Sequence, residues 1–420
     1  MARGFLFVAC LSMSNSTKYV EVYTKQVDVA REFGVTEATV HNWIKAAEAG
    51  NNYLKTTKRS GKRYIVQNEH NRAEMYRLKE KGRKHTSNMN MMYVHADEDK
   101  LMRMFDEKNL NHFINYFNIH KKIPIKYGYF DGGAKLWDEY YRNTNYGALD
   151  KDTLDKTYHM IWGHLKKYKY VNIIDLGPGN SLSSLDFVER IKNEGRLLKY
   201  HLADISQDML DIAKSNAQAR LGEDKVTFSI TDFETQSLQD TLFDLKKGYE
   251  YNEVCNMILF LGGNIGIGTS LEDQLRILSN IKDGMTYGDL LYTSCAYDKP
   301  SIRTIFPLSK VDSRENTEML IVYALGLDDY HFTREFQFNE QIGCRQLNLI
   351  LKYAITITFN DLGLSLELKK GDKINVYTHR RDSLELISEK TKLTGMELKF
   401  VYLNDTTDKI PEITYLASVA

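Results

Sequence analysis

Over its middle third the chain alternates between short apolar runs and amphipathic stretches. Val171, Ile173, Ile174 and Leu176 form a nearly uninterrupted apolar run. Such a run marks a strand covered on both faces rather than on one. Comparable runs occupy residues 199–204, 226–230, 254–261 and 289–294. Between them lie stretches of helical period: 208–219, where Met209, Leu210, Ile212 and Ala213 make one stripe, and 271–282. Strands alternating with helices at this spacing predict an α/β fold with a doubly wound parallel sheet.

The start of the chain has a different rhythm. Val27, Ala30 and Phe33 make the inner face of one short helix, and Val40, Trp43 and Ile44 that of a second. Gly34 supplies the turn between them and Thr36 caps the second helix, the spacing of a helix-turn-helix. In that arrangement Thr36, Thr39, His41 and Asn42 face a major groove. Residues 55–66 predict a hairpin turning at Ser60-Gly61, with Lys58, Arg59, Lys62 and Arg63 at its tip, and 72–84 continue as a basic helix. The hairpin resembles the small wing of MerR-type DNA-binding modules. The alternative is a helical interaction module that never meets nucleic acid. Residues 85–110, polar and Met-rich, read as a linker or connecting helix.

Charge sharpens this division. The net charge is zero, yet residues 1–90 carry 16 Lys+Arg against 8 Asp+Glu, and the remainder carries 40 against 48. A basic module joined to a mildly acidic one is the expectation. The four cysteines are far apart, with no CxxC pair, so neither a disulfide framework nor a zinc site is indicated and a reducing cytoplasm is expected. No apolar run approaches the roughly 20 residues that span a bilayer, so no membrane partner is expected. Residues 4–11 faintly resemble a signal peptide. A frayed arm over 1–20, with Met13 as a plausible start, is the preferred expectation.

The candidate chemistry lies at the ends of the apolar runs. The first breaks after Asp175 into Gly177-Pro-Gly179, where glycines permit positive φ and close approach of backbone to a ligand. A helix N-terminus is expected directly beyond the turn, presenting free N–H groups. The turn is neither GxGxxG nor a Walker A loop. It resembles motif I of class I S-adenosylmethionine-dependent methyltransferases, which implies that cofactor. Asp204 lies at the tip of the second strand, 27 residues beyond Gly177, where a carboxylate can accept from both ribose hydroxyls. The resemblance gives Asp232 the adenine amine and lets Phe233 stack on the ring. Phe260 and Gly262 open a glycine-rich loop after the fourth strand and join Asp175, Gly177 and Gly179 as expected cofactor contacts.

Lys126-Tyr-Gly-Tyr129-Phe-Asp-Gly-Gly133-Ala-Lys-Leu136-Trp137 resembles a closer family still. It is similar to the K-x-x-Y-D-x-x-G-S-x-L-F segment of the histidine-specific methyltransferases, which make the trimethylated precursor of ergothioneine and whose relatives methylate other aromatic amino acids. Residues 260–267 resemble that family's F-L-G-S-T-I-G-N loop, Gly371-Asp372-Lys-Ile374 its G-E-x-I, and Gly395-Met its later A-G-F. The resemblance covers roughly residues 120–420. It implies a methyltransferase domain over 116–420, with a core at about 155–300 and substrate-binding additions at 116–150 and 301–380. The preceding parts are then the arm 1–20, the module 21–84 and a linker 85–115.

Carried over residue by residue, the resemblance is mixed. Tyr129 and Tyr146 match substrate-touching tyrosines, expected here to position the acceptor. The asparagine that grips the amino-acid end is replaced by Ile267, with Asn264 the nearest substitute. The T-E-x-S-x-K stretch reads Val376-Tyr377-Thr378-His379-Arg380-Arg381. The imidazole-reading glutamate is therefore Tyr377 and the serine is His379. That exchange implies a more basic pocket, with Tyr377 and Arg381 binding substrate and His379 as a candidate base. A site that loses its hydrogen-bonding partner loses discrimination by about 10⁴ or more, so histidine is not the expected substrate. The main expectation is an N-methyltransferase for a small, amino-acid-like amine, with a regulatory or DNA-binding head that a dimer would strengthen. Two alternatives stay open: a transcription regulator whose methyltransferase-like domain senses the cofactor, and a nucleic-acid methyltransferase.

Overall fold

The computed structural model describes residues 26–420 apart from 34, 36, 49–53, 60–61, 67–68, 83–90, 106, 145–146, 301–313 and 406–410. The expected arm 1–20, the turn glycines Gly34 and Gly61, Thr36 and Tyr146 therefore lie outside the described residues. The chain divides into two compact units, 1–89 with 328–330, and 90–327 with 331–420.

In the first unit, helices α1 (Gln26–Phe33) and α2 (Glu37–Glu48) are followed by a hairpin of β1 (Thr56–Arg59) and β2 (Lys62–Ile65), then α3 (Glu69–Gly82). Val29, Phe33, Val40, Trp43, Ile44, Ile65 and Met75 form one buried cluster. Asn71 sits inside it: its side chain accepts from the Lys55 amide and donates to the carbonyls of Lys55 and Val66. One buried amide thus closes the base of the hairpin onto α3, satisfying groups that burial would otherwise penalise. Within the hairpin Lys58 pairs with Arg63 and Arg59 with Lys62.

The second unit is built on a seven-stranded sheet. Its parallel part comprises β4 (Tyr170–Leu176), β5 (Leu197–Asp204), β6 (Val226–Ile230), β7 (Val254–Phe260) and β8 (Leu290–Ala296), close to the runs read from sequence. Strands β14 (Met396–Asn404) and β15 (Glu412–Val419) complete the order β14-β15-β8-β7-β4-β5-β6. β15 runs antiparallel between β8 and β14, so the sheet is mixed rather than wholly parallel. Both faces are covered. Leu154, Ile161, Val188, Leu210 and Ala213 belong to the cluster on one, and Leu242, Ile277, Leu278, Ile281 and Ile387 to that on the other.

The expected linker is structured. Met91–His95 forms β3, which pairs in parallel with β11 (Ala354–Phe359). Met92 and Val94 are buried while Tyr93 and His95 are exposed, so the Met-rich stretch has a strand's period of two. Helices α4 (Glu98–Met104) and α5 (Glu107–His120) follow, with Leu101, Phe113 and Phe117 fully buried. Two three-stranded sheets also occur among the described residues. One has the order β12 (Leu364–Leu368), β11, β3, and the other β13 (Lys373–Arg380), β10 (Cys344–Leu351), β9 (Phe332–Asn339).

Candidate active site

The strand order reverses at β4. The chain passes from β4 outward to β5 and β6, then returns to β7 and β8 on the other side. Ligands of doubly wound folds bind at such a switch point, outside the carboxyl ends of the strands. A cavity lies there, with about 780 Å³ of empty space including the solvent at its mouth.

Its floor is the turn after β4. Gly177 and Gly179 have φ of +60° and +55°, which side-chain-bearing residues rarely adopt. A Cβ on Gly177 would lie 2.9 Å from Asn264 Nδ2, and one on Gly179 would lie 3.0 Å from Trp137 Nε1. Conformation therefore favours glycine at both positions, and a Cβ at either would be a tight fit. The expected helix does not begin directly at the turn. Residues 180–184 form further turns, and α8 starts only at Leu185.

Opposite this floor stands a second glycine turn, Gly262 and Gly263, also at positive φ. Asn264 donates from Nδ2 to the Gly177 carbonyl at 3.0 Å and so ties the two turns together. Asp150, in the first turn of α7 (Ala148–Leu165), accepts from the Gly262 amide (3.2 Å) and the Ser294 hydroxyl (3.0 Å). Ser294 in turn accepts from the Gly263 amide.

Asp175 and Asp204 are buried in the cavity wall. Asp175 Oδ2 accepts from Ser184 Oγ (2.5 Å) and the Tyr200 hydroxyl (2.7 Å), and Asp204 Oδ1 accepts from the Ser206 amide (2.9 Å). Burial outweighs these bonds and pushes each carboxyl up to about 6. Tyr129, from the 3₁₀ turn Ile125–Tyr129, lines the cavity and meets Trp137 edge to face at 6.0 Å. Its carbonyl accepts from Ser206 Oγ, joining this segment to the tip of β5. Lys126 Nζ donates to Asp232 Oδ2 and Glu234 Oε2, both at 2.9 Å. Phe233 lines the cavity, whereas Phe260 is fully buried and meets Phe233 edge to face at 5.1 Å. Phe260 thus supports the wall instead of forming it.

Tyr377, His379 and Arg381 do not line this cavity. β13 straps the second glycine loop: His379 bridges to Ile267, and Gly268 donates to the Thr378 carbonyl. A Cβ on Gly263 would come within 3.0 Å of His379 Nε2, so the ring packs on that loop. A base in contact with reacting atoms is therefore not where His379 stands. Its Nδ1 lies 3.3 Å from the Tyr377 hydroxyl. The Arg345 guanidinium sits 5.8 Å from the Tyr377 ring. Buried Arg381 donates to the Tyr297 carbonyl, and burial, with Arg345 adding to it, lowers its pKa to about 10. Sequence reasoning missed Lys126 as a wall residue, Trp137 as the cover of Gly179, and Asp150. Lys126 and Trp137 stood inside a quoted motif; Asp150 carried no signal.

The raised carboxyls have a consequence for stability. An aspartate in the unfolded chain titrates near 3.9, so between about pH 4 and 6 the folded state holds more protons. Stability contributed by these two groups is then present below that window and lost as pH rises through it, on the order of 2–3 kcal/mol per group. Urea denaturation of the ligand-free chain should show the wild type losing stability relative to Asp204→Asn across this window. A difference that stays flat with pH would contradict the burial argument.

Among solved structures the chain is similar to the CcbJ methyltransferase of Streptomyces caelestis, with 12% identity over 61% of this chain and 92% of that one and a TM-score of 0.37. It is also similar to the magnesium protoporphyrin IX methyltransferase of Synechocystis, solved with S-adenosylhomocysteine (12%, 73% and 97%, TM-score 0.37). A third is an S-adenosylmethionine-dependent methyltransferase of Clostridium acetobutylicum (11%, 74% and 98%, TM-score 0.34). No curated protein matches. The model of the histidine-specific, S-adenosylmethionine-dependent methyltransferases matches residues 107–410, so the chain belongs to that family and is an S-adenosylmethionine-dependent methyltransferase.

Proposed function

We propose that this enzyme methylates the amine of a small, amino-acid-like molecule carrying an anionic group, and that histidine is not its substrate. The observation that carries the reading is the character of β13. Where the family resemblance places an imidazole-reading acid, this chain has Tyr377, with buried Arg381 and Arg345 nearby. Burial and Arg345 disfavour the charge of Arg381 while Tyr377 and Asp298 favour it, and a ligand carboxylate or phosphate would add to the favourable side.

The cavity residues fit the cofactor. Two glycines at positive φ form a turn whose backbone a ligand can approach closely, and buried Asp204 suits a pair of ribose hydroxyls. Asp232, held by Lys126, would take the adenine amine, with Phe233 against the ring. Bound there, S-adenosylmethionine supplies an electrophilic methyl carbon. The protein's task is then alignment, since in-line displacement needs close approach and an amine with its lone pair free. Tyr129, together with Tyr146, positions that amine. Asn264 has committed its Nδ2 to Gly177, which leaves its Oδ1 as an acceptor for an amine N–H and fixes the sense of the contact.

The N-terminal unit is proposed to bind duplex DNA. Thr39, His41 and Asn42 of α2, with Thr36 at its start, would meet base edges, and Lys58, Arg59, Lys62 and Arg63 of the hairpin would meet phosphates. His41 and Asn42 are exposed, and Val40, Trp43 and Ile44 on the opposite face are buried, which suits a helix docked by one side and reading with the other.

Methyl transfer from labelled cofactor to a panel of amino acids and amines should select an anionic amine and leave histidine unmodified. Asp204→Ala should weaken cofactor binding by about 1.5–3 kcal/mol, the range for hydrogen bonds to a charged group. Efficient histidine methylation would refute the substrate class, and unchanged affinity in calorimetry would refute the role of Asp204. For the N-terminal unit, the full chain should bind duplex DNA with affinity that falls steeply as salt rises, because phosphate contacts release counterions. Binding absent at about 50 mM salt, or indifferent to salt, would indicate a protein-interaction head instead.

A further inference from the structure

The cavity's charges are unbalanced. Asp150, Asp175 and Asp204 all line it, and Lys126 is the one cation among its described lining residues. Lys126 is already engaged with Asp232 and Glu234. The three carboxylates are not equivalent. Asp204 caps the tip of β5, and Asp175 spends Oδ2 on two hydroxyls. Asp150 comes from α7, outside the sheet, and lies beside Gly262.

A structural account of Asp150 is at hand, because it accepts from the Gly262 amide and the Ser294 hydroxyl and so anchors the second glycine turn. Anchoring does not require a charge; an amide or hydroxyl oxygen would accept the same two bonds. A carboxylate in this place is costly, since burial raises its pKa. Glu412, buried at the start of β15, is raised well above its ordinary value by burial and by the charge of Asp150. Burial and the neighbouring acid disfavour a second negative charge at this place. Asp150 thus stands in the cavity wall beside Gly262, where the only cation among the described lining residues, Lys126, is engaged with other acids.

We infer that Asp150 is the counter-ion for the α-ammonium of the cofactor's methionyl end, so that the enzyme reads the amino-acid half of its cofactor by charge. This rests on the location of the cofactor given above. It assigns a role to a residue outside both glycine turns and explains why a carboxylate stands where a neutral acceptor would hold the loop equally well. The adenosine end, fixed by Asp204 and Phe233, should be indifferent to it.

That separation gives the test. The full chain is titrated with S-adenosylhomocysteine, which has the α-ammonium, and with methylthioadenosine, which lacks the amino-acid end. Asp150→Asn should weaken the first at least tenfold and change the second less than twofold. Ser294→Ala loosens the same loop without removing the charge and should not discriminate between the two. Equal weakening of both ligands by Asp150→Asn would make the residue a loop anchor only, and an unchanged affinity for S-adenosylhomocysteine would overturn the assignment outright. A measurement on the unaltered chain stands beside these. The des-amino analogue of S-adenosylhomocysteine should bind at least tenfold more weakly than its parent, and equal affinity would refute the proposal. If the wild type binds neither nucleoside, the cofactor's location itself is wrong, an outcome distinct from the others.

Discussion

One hydrogen bond joins the two halves of the site, that from the Asn264 amide to the Gly177 carbonyl. It spans the switch point between β4 and β7, where the sheet's winding reverses. It links two backbone turns that each require positive φ. Asn264 Nδ2 also lies 2.9 Å from where a Cβ on Gly177 would stand, so the contact that ties the turns crowds that position as well. The second turn is held from behind as well, by Asp150 and Ser294 on one side and by β13 on the other. The cavity is therefore bounded by backbone fixed from three directions, a preorganised frame of the kind that alignment-dependent catalysis needs.

Burial is used differently along this frame. At one end Lys126 bridges Asp232 and Glu234 with good geometry, offsetting one of their two negative charges. Toward the other, Asp204, Asp175 and Asp150 are all raised by desolvation. A cofactor with a sulfonium and an ammonium complements such a wall, and its charge would offset the burial of carboxylates that the empty fold carries at a cost. Beyond the second turn the sign changes again: Arg345 and Arg381 gather around Tyr377.

Much of this was legible in the sequence wherever a strand end carries its own mark. The Gly177 turn, Asp204 and the Asp232-Phe233 pair follow directly on apolar runs, and the structure brings them to one end of the sheet. Residues that reach the site from elsewhere were harder to read. Asp150 looks like an ordinary acidic residue in a helix's first turn, and only the fold sets it beside Gly262. Phe260 was expected in the wall, but total burial turns it into support for Phe233. His379 was expected as a base, yet it packs on glycines. The expectation of a linker or connecting helix missed β3 for a similar reason, since it pairs with β11, more than 250 residues away in the chain, and local composition cannot show such a pairing, whereas α4 and α5 are helical. An antiparallel β15 inserted beside β8 is equally non-local.

The central claim is that the cofactor lies between the two glycine turns that Asn264 connects. Backbone hydrogen exchange with and without S-adenosylhomocysteine tests it most directly. Ligand should slow exchange at residues 177–184 and at 262–266 together, because a molecule seated between the turns removes both from solvent and from fluctuation. Protection confined to one turn, or found only elsewhere in the chain, would contradict the account.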